Sequence, residues 1–303
     1  MPVSTDILQK SENGTINGRI IKGIGGFYYI DTADGIFECR ARGRFRKEGV
    51  TPLVGDVVTC RIDLPSKTGM ITEIHPRKNQ LIRPPVANVT QIAIVFSAVN
   101  PKPNLRVVDK LITSAVYADI NPLICINKAD LTDVSEFYDI YDKSGFDTIV
   151  VSAKESFNID VLKSKLVGET TVFAGISGVG KSSLLNRIVK EAVLETGEVS
   201  SKVERGRHTT RHSELMQTDD GNGYIIDTPG FSSFSVSDID ESELYTLFPD
   251  FAPYVDNCRF PDCRHTVEQG CAVIEAVNSG KLSKSRHDSY LEQYREVLDN
   301  KKY

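Results

Sequence analysis

Residues 175 to 183 read Gly-Ile-Ser-Gly-Val-Gly-Lys-Ser-Ser, preceded by the apolar run Thr171 to Ala174 and followed by Leu184, Leu185, Ile188 and Val189. This is the pattern of a strand, a tight glycine loop and a helix. Glycines at 175, 178 and 180 let successive backbone N–H groups turn inward, and a helix N-terminus behind them favours an anion. The spacing Gly-x4-Gly-Lys-Ser is that of a phosphate-binding loop, in which Lys181 reaches the β- and γ-phosphates and the Ser182 hydroxyl ligates Mg²⁺. The candidate segment is therefore Gly175, Ile176, Ser177, Gly178, Val179, Gly180, Lys181, Ser182 and Ser183. The alternative, a flexible glycine turn before an ordinary helix, explains neither the lysine nor the hydroxyl.

Upstream, Gln91 to Val99 is a nearly continuous apolar run, as in a parallel strand covered on both faces. Helical spacing over Arg106 to Ile120 follows, then strand Leu123 to Ile126, a helix near Ser135 to Lys143, strand Thr148 to Val151 and a helix near Asn158 to Leu166. The alternation predicts an open α/β sheet with a parallel core. At the end of the second strand stands Asn127-Lys128-Ala129-Asp130. A carboxylate there accepts hydrogen bonds from guanine N1–H and the exocyclic amino group, a pair adenine does not offer. After the third strand comes Ser152-Ala153-Lys154, whose backbone N–H is placed to meet the guanine O6. Each short motif is weak alone; together, at strand ends beside a phosphate loop, they point to a guanine nucleotide.

Past the loop, Gly206-Arg207-His208-Thr209-Thr210-Arg211 offers a threonine to Mg²⁺ and the γ-phosphate, and Thr210 is preferred over Thr209. The strand Tyr224 to Ile226 runs into Asp227-Thr228-Pro229-Gly230, where Asp227 would hold Mg²⁺ through water and the Gly230 amide would meet the γ-phosphate. Both segments touch the phosphate that hydrolysis removes, so they are the natural switches. Phe231 stands where Ras-like enzymes carry a water-orienting glutamine, and a phenyl ring cannot orient water by hydrogen bonding. The expectation is slow intrinsic turnover, with the missing group supplied by His208 or by a partner; His208 read as a plain surface histidine is the alternative. A potassium-assisted mechanism is disfavoured because the asparagine it uses is replaced by Gly178.

Residues 15 to 75 carry five short strand signals, Thr15 to Ile21, Gly26 to Thr32, Ile36 to Arg42, Asp56 to Ile62 and Gly69 to Ile74. They fit a small closed barrel of the oligonucleotide-binding (OB) kind. Asp34-Gly35 reads as a hairpin turn, and Gly23, Gly25 and Gly26 as a bend or bulge. Arg40, Arg42, Arg44, Arg46 and Lys47, with Phe45 among them, form either a basic stripe for RNA phosphates or a solvated charged loop.

At the other end, Cys258-x4-Cys263-x-His265-x5-Cys271 offers three thiolates and one imidazole, the complement of a closed, structural Zn²⁺ site. Helices are expected over Val267 to Asn278 and Ser283 to Asn300. Lys281, Lys284 and Arg286 are read either as RNA contacts or as helix-end charges.

With 303 residues the chain exceeds one compact domain, and its 40% hydrophobic and 25% charged composition is that of a globular protein. No apolar run is long enough to cross a bilayer and Met1 to Asn13 lacks a signal-peptide core, so a cytoplasmic protein without membrane contact is expected. The net charge of −5 argues against indiscriminate coating of nucleic acid. No heptads ask for a dimer, so a monomer is expected.

In an ordinary small GTPase the phosphate loop precedes Asn-Lys-x-Asp and Ser-Ala-Lys; here both precede the loop, a circular permutation. That order, with the N-terminal barrel and the cysteine cluster, resembles the bacterial ribosome small subunit-dependent GTPase A family of ribosome biogenesis factors. The resemblance rests on Asn127 to Asp130, Gly175 to Ser183, Gly206 to Arg211, Asp227 to Gly230 and Cys258 to Cys271. It implies slow GTP hydrolysis, stimulated by the small (30S) ribosomal subunit and its rRNA, during late subunit maturation and release of assembly factors. The expected architecture is an α/β, circularly permuted P-loop GTPase domain (89–235) between an OB-fold barrel (1–75, then a linker, 76–88) and a helical zinc-binding domain (236–303). The alternative is a non-ribosomal regulatory GTPase whose barrel binds a protein. The permutation also places the second switch last, so a change at the γ-phosphate is expected to move the C-terminal residues.

Overall fold

The computed structural model describes residues 14–81, 85–189, 214–226 and 239–300. In chain order these form β1 (Thr15–Ile24), β2 (Phe27–Thr32), β3 (Gly35–Ala41), α1 (Gly43–Lys47), β4 (Val57–Asp63), β5 (Thr68–Ile74), β6 (Gln80–Leu81), β7 (Val86–Ala87) and β8 (Gln91–Ser97). Then come α2 (Leu105–Tyr117), β9 (Asn121–Asn127), α3 (Ser135–Asp142), β10 (Asp147–Val150), α4 (Ile159–Leu166), β11 (Thr170–Ala174) and α5 (Lys181–Ile188). The described remainder holds β12 (Leu215–Gln217), β13 (Tyr224–Ile226), α6 (Ala252–Val255), α7 (Ala272–Asn278) and α8 (Lys284–Asn300). One sheet closes into a barrel in the order β1-β2-β3-β5-β4, and a second has six strands in the order β10-β9-β8-β11-β13-β12. Two compact units are present, one from the described residues of Met1–Gln91, Lys163–Phe173 and Leu185–Phe231, the other from those of Ile92–Leu162, Ala174–Leu184 and Ser232–Tyr303.

In the first unit, period-two alternation sends Ile16, Ile20, Ile30, Phe37, Val58 and Ile71 into the barrel core. Five strands suffice to close it because β1 pairs antiparallel with both β2 and β4, while β3 runs parallel to β5. Gly25-Gly26 form the two-residue turn that pairs Ile24 with Phe27, and the register shift lies instead between Ile20 and Lys22. The basic run also departs from expectation. Only Arg40 lies in β3, whereas Arg44 sits on α1, so the alternate-face rule for strands does not extend along the run. Arg40 stacks over Phe27 at 4.4 Å and Arg44 over Phe45 at 5.1 Å. Across 76–88, β6 pairs with β7, and Arg77 grips the buried Asp56 carboxylate with two bonds of 2.7 and 2.8 Å. In the same unit β11 and β13 run parallel and β12 joins β13 antiparallel.

In the second unit every residue of β8 is buried, which is why Ile92 to Phe96 are continuously apolar. β9 and β10 pair in parallel from Leu123 opposite Asp147. The helix α2 buries Val108, Ile112 and Ala115 at helical spacing, but it also buries Asp109. The partner of that carboxylate is Arg286 on α8, which donates to Asp109 at 2.8 Å and to both Asp250 oxygens at 2.8 and 3.1 Å. Arg286 is therefore neither an RNA contact nor a helix-end charge: it is fully buried, lying over the rings of Phe146 and Phe248. Burial alone would lower its pKa, yet Asp109 and Asp250 hold it above the ordinary arginine value. Further along the same helix pair, Lys110 meets Glu296 at 2.6 Å and Arg106 meets Glu292 at 2.5 Å. The C-terminal core gathers Leu244, Phe248, Phe251, Tyr290 and Val297. Here α7 starts at Ala272, not Val267, because the preceding turn is otherwise committed. The Glu268 carboxylate accepts the N–H groups of Arg264, Thr266 and Val267 at 2.8, 2.8 and 3.0 Å, and Cys271 stays extended as the residue before the helix.

Candidate nucleotide site and metal centre

The strand β11 delivers the chain into the glycine loop, and α5 starts at Lys181. Gly175 has φ of +143°, and a Cβ there would lie 2.1 Å from the Val95 carbonyl oxygen of β8, so only glycine lets the loop leave the sheet this way. Gly180 is more restrictive in function. At φ +97° its Cβ would meet Asn127 Nδ2 at 2.3 Å, which is where the second motif enters.

Asn127 ends β9 with its side chain buried, Nδ2 donating to the Val179 carbonyl at 2.9 Å and Oδ1 accepting from the Ala153 N–H at 3.2 Å. One asparagine thus joins the three segments 127–130, 152–154 and 175–183. Lys128, at φ +63°, lays its ammonium on the Gly178 carbonyl at 2.8 Å and also on the Asn100 carbonyl. The Asn100 contact has no sequence signal, because it uses a backbone oxygen. Ala129 donates its N–H to the Val151 carbonyl at 3.2 Å. Asp130 is exposed, and the buried Ser152 donates its hydroxyl to it at 2.6 Å while accepting the Glu155 N–H at 3.1 Å. That hydroxyl, with help from Lys154 and Lys128, holds the Asp130 carboxyl below the usual range, so it is ionised at neutral pH and ready to accept from a donor edge. Lys154 itself is exposed, 3.4 Å from Glu155.

Lys181 rests its ammonium on the Gly175 and Ile176 carbonyls at 2.7 and 3.0 Å. Ile176, Ser177 and Gly178 are exposed, Val179 is buried beneath the loop, and Ser182 and Ser183 are half-buried in the first turn of α5. A glycine loop, a lysine and a helix N-terminus make an arrangement for phosphates. The Ser182 hydroxyl is a hard oxygen donor of the type Mg²⁺ takes. His208, Thr210, Asp227 and Gly230 lie outside the described residues.

The second cluster is built by the turn after α6. Cys258, Cys263, His265 and Cys271 bring their ligand atoms within 4.8 Å of one another, three of the four residues being buried. Two sulfurs on a tetrahedral Zn²⁺ would sit about 3.8 Å apart and a sulfur and a nitrogen about 3.5 Å apart. Cys258 and Cys271 sulfurs are 3.9 Å apart, and His265 Nδ1 lies 3.5 and 3.4 Å from them, so these three donors fit that ion, and Cys263, within 4.8 Å of each, supplies the fourth. Burial lowers the His265 pKa, favouring the neutral imidazole a metal needs. The surroundings hold the ligands: His287 Nε2 bonds the His265 carbonyl at 2.8 Å and the Tyr290 hydroxyl donates to the Arg264 carbonyl at 2.6 Å.

Residues 74–237 match the RsgA GTPase family and residues 17–71 the RsgA N-terminal domain. The chain belongs to the RsgA GTPase family. As an RsgA-family protein it is a GTP hydrolase, with its motifs in circularly permuted order. It is 47% identical over 290 residues to the Small ribosomal subunit biogenesis GTPase RsgA of Alkaliphilus metalliredigens, covering 94% of this chain and 99% of that one. The crystal structure of YloQ, a circularly permuted GTPase, superposes with a TM-score of 0.80 at 36% identity, covering 96% of this chain and 98% of that one. YjeQ from Thermotoga maritima gives a TM-score of 0.80 at 32% identity, covering 94% and 99%. The RsgA-family likeness thus spans the barrel, the nucleotide loops and the cysteine cluster. No helix among the described residues is long and apolar enough to cross a membrane.

Proposed function

We propose that this RsgA-family protein binds the small ribosomal subunit and its rRNA in the cytoplasm, as a monomer, and hydrolyses GTP slowly until the subunit stimulates it late in maturation, releasing assembly factors. The observation that carries the reading is the likeness, over 94% of this chain, to relatives named for small-subunit biogenesis. In this reading the chain has three functional regions: an RNA-binding barrel over 1–75 joined by 76–88, a GTPase domain over 89–235, and a zinc-binding helical domain over 236–303.

In this reading Asp130 takes the donor edge of guanine, the Ala153 and Lys154 backbone meets its O6, and Asn127 and Lys128 hold the phosphate loop against the base loop. Lys181 and the N–H groups of 175–183 take the phosphates. Mg²⁺, when bound through Ser182 and Thr210 with Asp227 behind water, neutralises phosphate charge. The Gly230 N–H meets the γ-phosphate, and His208 orients the attacking water. Turnover then depends on positioning and charge neutralisation rather than on a covalent step. The structural ion at Cys258, Cys263, His265 and Cys271 is Zn²⁺.

The test is GTP turnover by the purified protein with and without purified small subunits. At least tenfold stimulation is expected; identical rates would overturn the proposal and favour a regulatory GTPase with a protein partner on the barrel.

A further inference from the structure

The barrel and the strands β12 and β13 belong to one compact unit, and their junction is unusually polar. Arg19 of β1 is 7% exposed and donates to Thr170 Oγ1 at 2.5 Å, its guanidinium 5.1 Å from the centre of the Tyr224 ring. Asp31, directly across from Arg19 in the β1–β2 pair, accepts from the Tyr224 hydroxyl at 2.6 Å and from Gln217 Nε2 at 2.7 Å. At the rim Lys22 bridges to Glu214 by backbone pairing and by an ion pair of 2.9 Å. The barrel is therefore attached to β12 through Gln217 and to β13 through Tyr224, with one carboxylate as the common acceptor.

Such a junction has little slack. Arg19 is a buried cation whose hydrogen-bond partner is a neutral hydroxyl, so its charge depends on the aromatic face and on Asp31 beside it. Sliding the barrel off the strands would leave that charge and the Asp31 carboxylate without their partners, which costs more than a small shift of β12 and β13 with the barrel. In the chain, Ile226 at the end of β13 is followed directly by Asp227, and Leu215 at the start of β12 stands five residues after Thr210.

We propose that Asp31 and Arg19 are positioning residues for GTP turnover: a small subunit seated on the barrel sets, through them, the placement of β12 and β13. The proposal rests on the ribosomal reading above. It separates the role of the barrel in binding the subunit from a second role in conveying that binding to the nucleotide. Asp31 touches neither nucleotide nor metal in this scheme, so its removal should leave the unstimulated enzyme as it is.

The experiment measures, on the full-length protein, unstimulated turnover, subunit affinity, and the kcat and KM for GTP at saturating small subunits. Asp31→Ala should keep unstimulated turnover and subunit affinity within about threefold and lower stimulated kcat about tenfold with KM for GTP unchanged. Asp31→Asn, which keeps an acceptor, should recover most of that kcat. Tyr224→Phe with Gln217→Ala removes both bonds into Asp31 without entering the barrel core, and it should reproduce the loss if Asp31→Ala folds poorly. Stimulated kcat within twofold of native in either background, with native stimulation intact, overturns the inference alone. A native protein that the subunit does not stimulate overturns the ribosomal reading and the inference together.

Discussion

Replacing Arg286 by methionine isolates the value of the buried ion triad that holds α8 to α2. The substitution keeps the apolar stem but strands two carboxylates, Asp109 and Asp250, whose side chains are 0% and 2% exposed. Removing one partner of a buried pair costs about 3–5 kcal/mol, and a desolvated cation over aromatic rings adds up to about 2 kcal/mol. Since these contributions share the same groups, they do not add fully, and about 4 kcal/mol is the expected loss at neutral pH. With Arg286 in place, burial already holds the Asp109 carboxyl above its ordinary value. Without the guanidinium it must rise further. A carboxyl whose pKa is raised in the folded state penalises folding above that pKa, and the penalty fades as pH falls through it. The deficit of the variant should therefore shrink as pH falls below neutral. The chain has no tryptophan, so urea unfolding is followed by circular dichroism with zinc present. A loss under about 1 kcal/mol, the scale of an exposed ion pair, or a deficit independent of pH would refute the reasoning.

Two further outcomes test the functional sites. Gly180→Ala puts a Cβ at 2.3 Å from Asn127 Nδ2, so the base and phosphate loops must part; GTP affinity should fall about 100-fold, about 2.7 kcal/mol, in a fluorescent-nucleotide titration. For the metal centre, elemental analysis should find one zinc per chain in the native protein and none in Cys263→Ser, with proteolysis of the C-terminal residues accelerated at least tenfold in the variant.

Much of the fold was legible because local patterns and tertiary context agree. The five barrel strands show period two, the run at 92–96 is apolar because both faces are covered, and the glycine loop announces the turn from β11 into α5. The convergence of 127–130 with 175–183 was legible as chemistry, through motifs that only make sense together; the side chain that joins them, Asn127, acts on backbone atoms that carry no residue signature. Arg286 was misread for the opposite reason. A basic residue in the first turn of a surface-like helix looks solvated, and nothing local to it reports the two acids that lie 36 and 177 residues away. The start of α7 was misplaced because Glu268, an ordinary helix former, spends its carboxylate on three backbone N–H groups. Likewise the barrel's attachment to β12 and β13 uses Arg19 and Asp31, which alternate on strands like any exposed charges.

The mating of α8 with α2 has a consequence for biosynthesis. Asp109 and Arg286 are separated by 177 residues, so at about 5–20 residues per second a growing chain carries α2 for roughly 10–35 seconds before its counterpart exists. Through that interval the face of α2 that α8 will cover bears an ionised, hydrated Asp109 beside Arg106 and Lys110. A wholly apolar stripe would be adhesive while it waited, whereas this one stays wet until the last helix arrives to neutralise it.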